Sequence, residues 1–396
     1  MPNTVCRKDR FYIPEGMIYL DGNSLGPLPK SVPAAMEKAL SAEWGAQLIK
    51  GWNSCGWMAQ PRDVGDRIAA LIGASAGSVV MGDTLSIKVF QALAAAVDMR
   101  PDRNIILSDT GNFPSDLYMA QGLSRLKTAV RLETVDPADV MSAINEDVAV
   151  VMLTEVDYRT GRRHDMTSIT KAAHDAGAVM IWDLAHSAGA VDLAVAETNC
   201  EFAVGCTYKY LNGGPGAPAF IYVRPDLIED VQPALAGWLG HDAPFDFDLD
   251  YRPGQGIERM RVGTPPVLQM TALSAALDVW DHVSLAELRA SSLHLTNLFI
   301  EEVERRCPTL RLISPREDAE RGSQVSFGFE NGYAAMQALI ARGVIGDFRA
   351  PDVMRFGFTP LFIDDDDVIQ AAQIIEDVIT NDLWDRPEFH ARKAVT

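Results

Sequence analysis

The chain has 396 residues, 47% of them hydrophobic and 22% charged, with 35 Lys+Arg against 54 Asp+Glu and a net charge of −19. That length allows two or three domains with a large core, so disulfide or metal staples are not needed. The acidic balance disfavours nucleic acid and anionic lipid as partners. No apolar run reaches the ~18 residues of a membrane span. The N-terminus carries Arg7, Lys8, Asp9 and Arg10 and lacks the apolar stretch of a secretory signal. The five cysteines (Cys6, Cys55, Cys200, Cys206 and Cys307) are scattered, with no CxxC and no HExxH. No metal site or disulfide framework is expected, and a reducing cytoplasm fits. These bounds describe a soluble intracellular protein, most readily an enzyme.

In chain order, one helix is predicted in the first 50 residues, near Val32 to Trp44. From about residue 60 to 225, short apolar runs alternate with helical periodicity. Strands are predicted at Ser78–Met81, Asn104–Leu107, Val130–Leu132, Val148–Leu153, Ala178–Trp182, Phe202–Cys206 and Ala219–Val223. Helices fall through Phe90, Leu93 and Val97, after Phe113-Pro114-Ser115, around Asp139 to Ile144, and from Thr167 to Asp175. Apolar strands separated by helices indicate crossover units and a mixed, mostly parallel sheet. After about 265 the pattern changes to long helices near 266–281 and 284–306. A strand at Gln324–Phe329, a helix near Tyr333–Arg342 and a final helix at Asp367–Thr380 follow. The expected division is an N-terminal segment, 1–50, packing with the small domain; a large α/β domain, 51–265; and a smaller α+β domain, 266–396.

In open α/β sheets, ligands sit beyond the carboxyl ends of the strands. Two strand ends carry reactive side chains. Ala178 to Trp182 runs into Asp183, with His186 close behind. A buried acid there needs a cationic or N–H partner, such as a protonated pyridine nitrogen; alternatively Asp183 caps a helix beside an ordinary core histidine. Phe202 to Cys206 runs into Thr207-Tyr208-Lys209-Tyr210, before the glycine-rich Asn212-Gly213-Gly214-Pro215-Gly216. A lysine amine so placed suits covalent attachment to a carbonyl; alternatively it is a snorkelling surface lysine. Together, Asp183 and Lys209 can reach opposite ends of one ring, that of pyridoxal phosphate. Gly82-Asp83-Thr84-Leu85-Ser86 joins a strand to a helix whose N-terminus could hold the phosphate, unless Thr84 is a simple cap. No GxxxxGKS/T or GxGxxG occurs, which disfavours nucleotide loops.

Asp183-Leu184-Ala185-His186-Ser187-Ala188-Gly189 and Thr207-Tyr208-Lys209-Tyr210-Leu211-Asn212 resemble fold-type I PLP enzymes of the class V aminotransferase group. Leu20-Asp21-Gly22-Asn23-Ser24-Leu25-Gly26, Phe113-Pro114-Ser115-Asp116, Gly237-Trp238-Leu239-Gly240-His241 and Arg261-Val262-Gly263-Thr264-Pro265-Pro266 narrow the resemblance to the bacterial kynureninase family. It runs from about residue 18 to 380. It implies hydrolysis of L-kynurenine, or 3-hydroxykynurenine, to anthranilate, or its 3-hydroxy form, and L-alanine, in tryptophan catabolism by the kynurenine pathway.

The resemblance also implies roles. Lys209 is the Schiff-base lysine, which takes the substrate's α-proton, and Asp183 is the pyridinium partner. His186 sits near the ring. Tyr208 contacts the phosphate and serves as proton donor or acceptor. Phe113 stacks on the ring, with Ser115 and Asp116 beside the cofactor. Asp83, Thr84, Thr154, Trp238 and Thr264 match phosphate or cofactor contacts. Trp238 and Thr264 come from the second subunit, implying a homodimer with shared sites. Arg355 pairs with the substrate carboxylate as a bidentate partner, and Ser24, Trp52 and Thr264 shape the substrate pocket. Asp83 departs from the pattern, since a carboxylate beside a phosphate is unfavourable; its backbone N–H is the expected donor, or its side chain caps the helix instead.

A cysteine desulfurase of the same fold would need a nucleophilic cysteine on a small-domain loop, and 346–362 has none. An aminotransferase on this scaffold would need a 2-oxo acid partner. A non-catalytic relative would lack Lys209, Asp183 or Arg355, and all are present.

Overall fold

The computed structural model describes residues 5–392. Its centre is a seven-stranded sheet in the order Val79–Met81, Phe220–Val223, Phe202–Gly205, Val179–Asp183, Val148–Thr154, Ile105–Asp109, Arg131–Val135. Phe220–Val223 runs antiparallel to both neighbours, and the remaining pairs are parallel. The sheet is thus mixed and mostly parallel. Its central strands are apolar on both faces because both faces are covered. Val80, Ile106, Val150, Met152, Val179, Ile181, Val204 and Ile221 point to one cluster, under the Leu85–Asp98 helix. The alternate residues Met81, Leu107, Val151, Leu153, Met180, Trp182, Ala203 and Phe220 point to the other. Each expected strand of this sheet is present, with ends shifted by three residues at most.

A second sheet, fully antiparallel, orders Arg311–Leu312, Gln324–Gly328, Val353–Gly357 and Asp347–Arg349. Helices Leu285–Arg306 and Asp365–Thr380 accompany it. Each starts on a side-chain cap: Ser284 accepts from Glu287 N at 3.3 Å, and Asp364 forms a reciprocal capping box with Asp367. The strand pair Asp347–Arg349 and Val353–Gly357 was not among the expected elements. One more helical turn, Pro387–His390, follows the helix expected to be last.

The expected N-terminal helix is present over Val32–Gly45, but not as one uniform α-helix. The α-helix spans Val32–Lys38 and widens into π-helical turns at Ala39–Gly45, with a further turn at Leu48–Lys50. Upstream, Ile18–Tyr19 pairs parallel with Val344–Ile345, and Asp21 bridges Gly357. Lys8 contacts Asp367 at 2.6 Å, and Asn23 Nδ2 donates to Gln324 Oε1 at 2.9 Å.

This same N-terminal segment also reaches the loop at the edge of the large sheet. Gly26 N donates to Tyr208 O at 2.8 Å, so the turn beginning at Asp21 lies against the loop carrying Lys209. A Cβ on Gly26 would lie 2.7 Å from Asn212 Cα and 2.5 Å from Asn212 Nδ2. The backbone obstacle cannot rotate away. Gly26→Ala is therefore expected to destabilise the fold by about 1–3 kcal/mol, the usual cost of overpacking, and to depress activity through the Lys209 loop. A melting curve and turnover both unchanged from the parent would contradict this close approach.

Candidate active site

The carboxyl edge of the large sheet gathers most of the expected residues. Asp183 ends its strand and stands opposite Thr154, the last residue of the neighbouring strand. Thr154 Oγ1 donates to Val156 O at 3.3 Å and lies 3.5 Å from Asp183 O. Asp183 is buried, and its Oδ1 accepts from Ala185 N at 2.8 Å. Asp116, on the first turn of Pro114–Leu126, faces it. Burial raises the Asp183 carboxyl to about 6, against the pull of Lys209. Burial first, then the Asp183 charge, pushes Asp116 well above the ordinary carboxylate range.

Lys209 lies in the turn after Phe202–Gly205. Its Nζ is 3.0 Å from His186 Nε2, 5.7 Å from the Tyr208 ring centre and 6.0 Å from that of Phe113. His186 is buried, and burial, then Lys209, holds its pKa well below the usual value. It is therefore neutral, and Nε2 accepts from the lysine. Tyr208 is half-buried; Cys206 first, then burial, pushes its phenol up, so the proton stays on Oη at neutral pH. Phe113 is 42% exposed and packs edge-on against Tyr158 at 5.1 Å.

Two helix starts meet beside this group. Ser86 Oγ lies 2.9 Å from Ser115 Oγ, joining the first turns of Leu85–Asp98 and Pro114–Leu126. Thr84 is the cap residue of the first, yet its side chain makes no capping bond, which leaves N–H groups free for an anion. Asp83 does not cap the helix either. It adopts φ 58° and points its carboxylate toward Lys88 Nζ, 3.7 Å away. Lys88 is fully buried, and burial lowers it to about 8. This cation, which the sequence reading left out of the site, offsets the charge that made Asp83 look out of place. A lysine inside an otherwise apolar helical run was the available signal.

The small sheet supplies Arg355, almost completely buried. Its Nε donates to Asp347 Oδ1 at 2.6 Å, its Nη2 to Asp347 Oδ2 and, at 3.1 Å, to Ser24 Oγ, and its Nη1 to Tyr158 O. Ser24 and Arg355 therefore do come together. Arg355 is one of the charges that depress His186, which sets it within electrostatic reach of Lys209.

Two expected residues, Trp52 and Trp238, stand apart from this cluster within one chain, and Thr264 lies at its edge beside Asp83. Trp52 packs edge-on against Trp57 at 5.4 Å and lines a separate apolar recess of about 440 Å³ with Trp44, Leu48, Ile49 and Leu268. Thr264 is exposed and shares a small recess with Gly82 and Asp83. Trp238 is 43% exposed, at the head of an aromatic row with Phe245 and Phe247.

The raised Asp183 carboxyl has a consequence for stability. An unfolded aspartate ionises near 3.8 and this one near 6. The folded chain thus holds the proton more tightly, and the stabilisation from neutral Asp183 is complete below about 3.8 and lost as pH rises through 6. Without cofactor, Asp183→Asn is expected to melt a few degrees above the parent at pH 8, with the gap closing toward pH 4. Thermal unfolding across that range measures it; an Asn variant melting below the parent at pH 8 would refute the assignment.

The family model described as the kynureninase C-terminal domain matches residues 288–375. Over 397 aligned residues the chain is 47% identical to kynureninase of Pseudomonas fluorescens and to that of Burkholderia pseudomallei (strain 1106a), in each case across 98% of this chain and 95% of the relative. Among solved structures it is similar to the cysteine desulfurase CsdA of Escherichia coli, with TM-score 0.78, 19% identity and coverage of 94% and 98%. It is also similar to the cysteine desulfurase of Thermococcus onnurineus NA1, with TM-score 0.77, 19% identity and coverage of 92% and 95%. The structural likeness, at such low identity, speaks for the shared fold, and the sequence identity over nearly the full length goes further: the chain belongs to the kynureninase family.

Proposed function

We propose that this protein hydrolyses L-kynurenine to anthranilate and L-alanine with pyridoxal 5′-phosphate as cofactor. The observation that carries the reading is the amine of Lys209 and the buried carboxyl of Asp183 on neighbouring strand ends of one sheet. The residues fit that cofactor. His186 Nδ1 is buried without a hydrogen-bond partner, and such a group is costly unless a ligand completes it. Asp183 would compensate a protonated ring nitrogen. Lys209 would carry the cofactor, Phe113 and His186 would flank its ring, and Asp83, Thr84, Ser115, Asp116, Thr154 and Tyr208 would line its place, with the paired helix starts taking the phosphate. Bound there, the cofactor supplies a sink for the electron pair of the substrate's α-carbon.

The chain's own residues do the rest. Arg355 receives the substrate α-carboxylate. The Lys209 amine takes the α-proton, and neutral His186, accepting at Nε2, keeps that amine in place without competing for a positive charge. Tyr208, protonated at Oη, can give a proton to the leaving carbon side when water has added to the γ-carbonyl and the Cβ–Cγ bond breaks. Water leaves in the products: one oxygen in the anthranilate carboxylate, two hydrogens shared between the products.

A desulfurase reading lacks its nucleophile. Cys200 and Cys307 are buried with thiols raised to about 12 and about 11, and burial also raises Cys206. All five cysteines are free thiols, which supports a reducing cytoplasm.

We extend the proposal to a homodimer with shared sites. Trp238, Phe245, Phe247 and Leu249 leave a row of apolar side chains open to solvent, and Trp44, Leu48 and Ile49 do the same beside Trp52. Patches of this kind mark docking surfaces. A second copy would complete the site with Trp238 and Thr264 and carry Trp52 into the substrate pocket. The division into 1–50, 51–265 and 266–396 belongs to the same reading.

The decisive assay combines both parts. Purified holoenzyme given L-kynurenine is expected to release anthranilate and alanine in equal amounts, and Lys209→Ala and Trp238→Ala are each expected to lose most activity. Mixed under subunit exchange, the two variants are expected to recover activity, because a hybrid dimer has one site with neither substitution. No recovery from a mixture shown to contain hybrids would rule out shared sites; a cofactor-loaded parent releasing neither product would rule out the hydrolase.

A further inference from the structure

The two strands absent from the sequence reading carry a second acid of consequence. Asp347 and Arg355 are directly opposed in the register of adjacent antiparallel strands, so their side chains share a face. Both are buried, at 2% and 1% exposure. Asp347 takes the Nε and one Nη2 proton of Arg355 and accepts from Ser24 Oγ at 2.7 Å; Arg349 also reaches it, at 2.8 Å. Ser24 takes the other Nη2 proton, and Tyr158 O takes one from Nη1. A guanidinium has five N–H donors in a fixed fork, and these contacts occupy all but one, on Nη1.

An arginine side chain has several rotatable bonds, and its long stem leaves the fork free to swing unless something holds it. Asp347 grips the edge opposite Nη1. We propose that Asp347 is a positioning residue for substrate recognition: by taking Nε and Nη2 of Arg355 it fixes the guanidinium plane and leaves one N–H of Nη1 to the α-carboxylate of the amino-acid substrate, a single contact in place of the bidentate pair that the resemblance implies. This rests on the kynurenine reading. Burial alone would raise the Asp347 carboxyl, but the hydrogen bond and charge of Arg355 hold it below the usual range, so the acid stays ionised and the grip stays charge-assisted. Ser24 belongs to the same device, because its hydroxyl touches both partners and comes from the turn that also rests against the Lys209 loop.

The test uses the holoenzyme with two ligands, L-kynurenine and the decarboxylated amine of kynurenine, which keeps the aryl ketone and amine but offers Arg355 nothing. In Asp347→Asn, KM for L-kynurenine is expected to rise on the order of tenfold or more, as for loss of a charged hydrogen-bond partner. Turnover at saturation should change far less. The visible absorbance of the bound cofactor and the inhibition constant of the amine should stay as in the parent. Should this variant not yield holoenzyme, Asp347→Glu keeps the charge and displaces it by one methylene, and the same split must appear there. An unmoved KM, or amine inhibition weakened as much as kynurenine binding, would overturn the positioning role and make the pair a structural ion pair. A parent holoenzyme releasing no anthranilate would overturn the kynurenine reading itself, and this proposal with it.

Discussion

A carboxylate at the end of a buried strand is the constraint around which this structure is arranged. Asp183 cannot ionise cheaply where it stands, as the rise of its pKa to about 6 records. Nearly every neighbour bears on that charge. Lys209, the Ala185 N–H and a hydrogen bond from Asp116 all pull it down, and burial outweighs them. The free chain therefore holds polar groups whose needs a cation-bearing ring between them would meet. Affinity for such a ring is the other side of the instability of the empty arrangement. The seven-stranded sheet makes this possible, because covered faces keep water from its core while its carboxyl edge leaves the strand ends open to a ligand.

The same logic explains what could be read from the chain. Val148 to Leu153 and Ala178 to Trp182 are apolar throughout because they are buried on both faces, so the large sheet was legible almost strand by strand. Asp183 and Lys209 were legible as chemistry because a polar side chain at the end of such a run is conspicuous, whereas Thr154 came only with the resemblance. The pair Asp347–Arg349 and Val353–Gly357 was not, because Asp347 and Arg355 are charged residues with buried side chains. Charges alternating with apolar residues look like a solvent-facing edge unless it is known that they neutralise one another. Lys88 was missed for the same reason: its ammonium is inside the protein, held by Asp83, Gln91 Oε1 at 3.0 Å and Met260 O at 3.2 Å. The widening of the Val32–Lys38 helix into π-helical turns had no local signature, since Ala39 to Gly45 contains no proline.

Charged groups in this protein thus stand in compensating sets around a buried member. One set, Asp83 with Lys88, stands beneath the expected phosphate position; another, Asp21, Asp347, Arg349 and Arg355, stands beneath the expected substrate carboxylate. Either site must hold an anion without being a bare cation when empty. An uncompensated buried arginine would be costly, whereas one already paired is stable but less attractive to a ligand. The two acids of the set differ in this respect. Burial, and then the charge of Asp347, raises the Asp21 carboxyl to about 7, whereas the hydrogen bond and charge of Arg355 hold Asp347 below the usual range. With Asp21 ionised the four groups sum to zero; with it protonated they carry a net positive charge. The acid that steadies Arg355 and the acid that resists ionising are thus different residues.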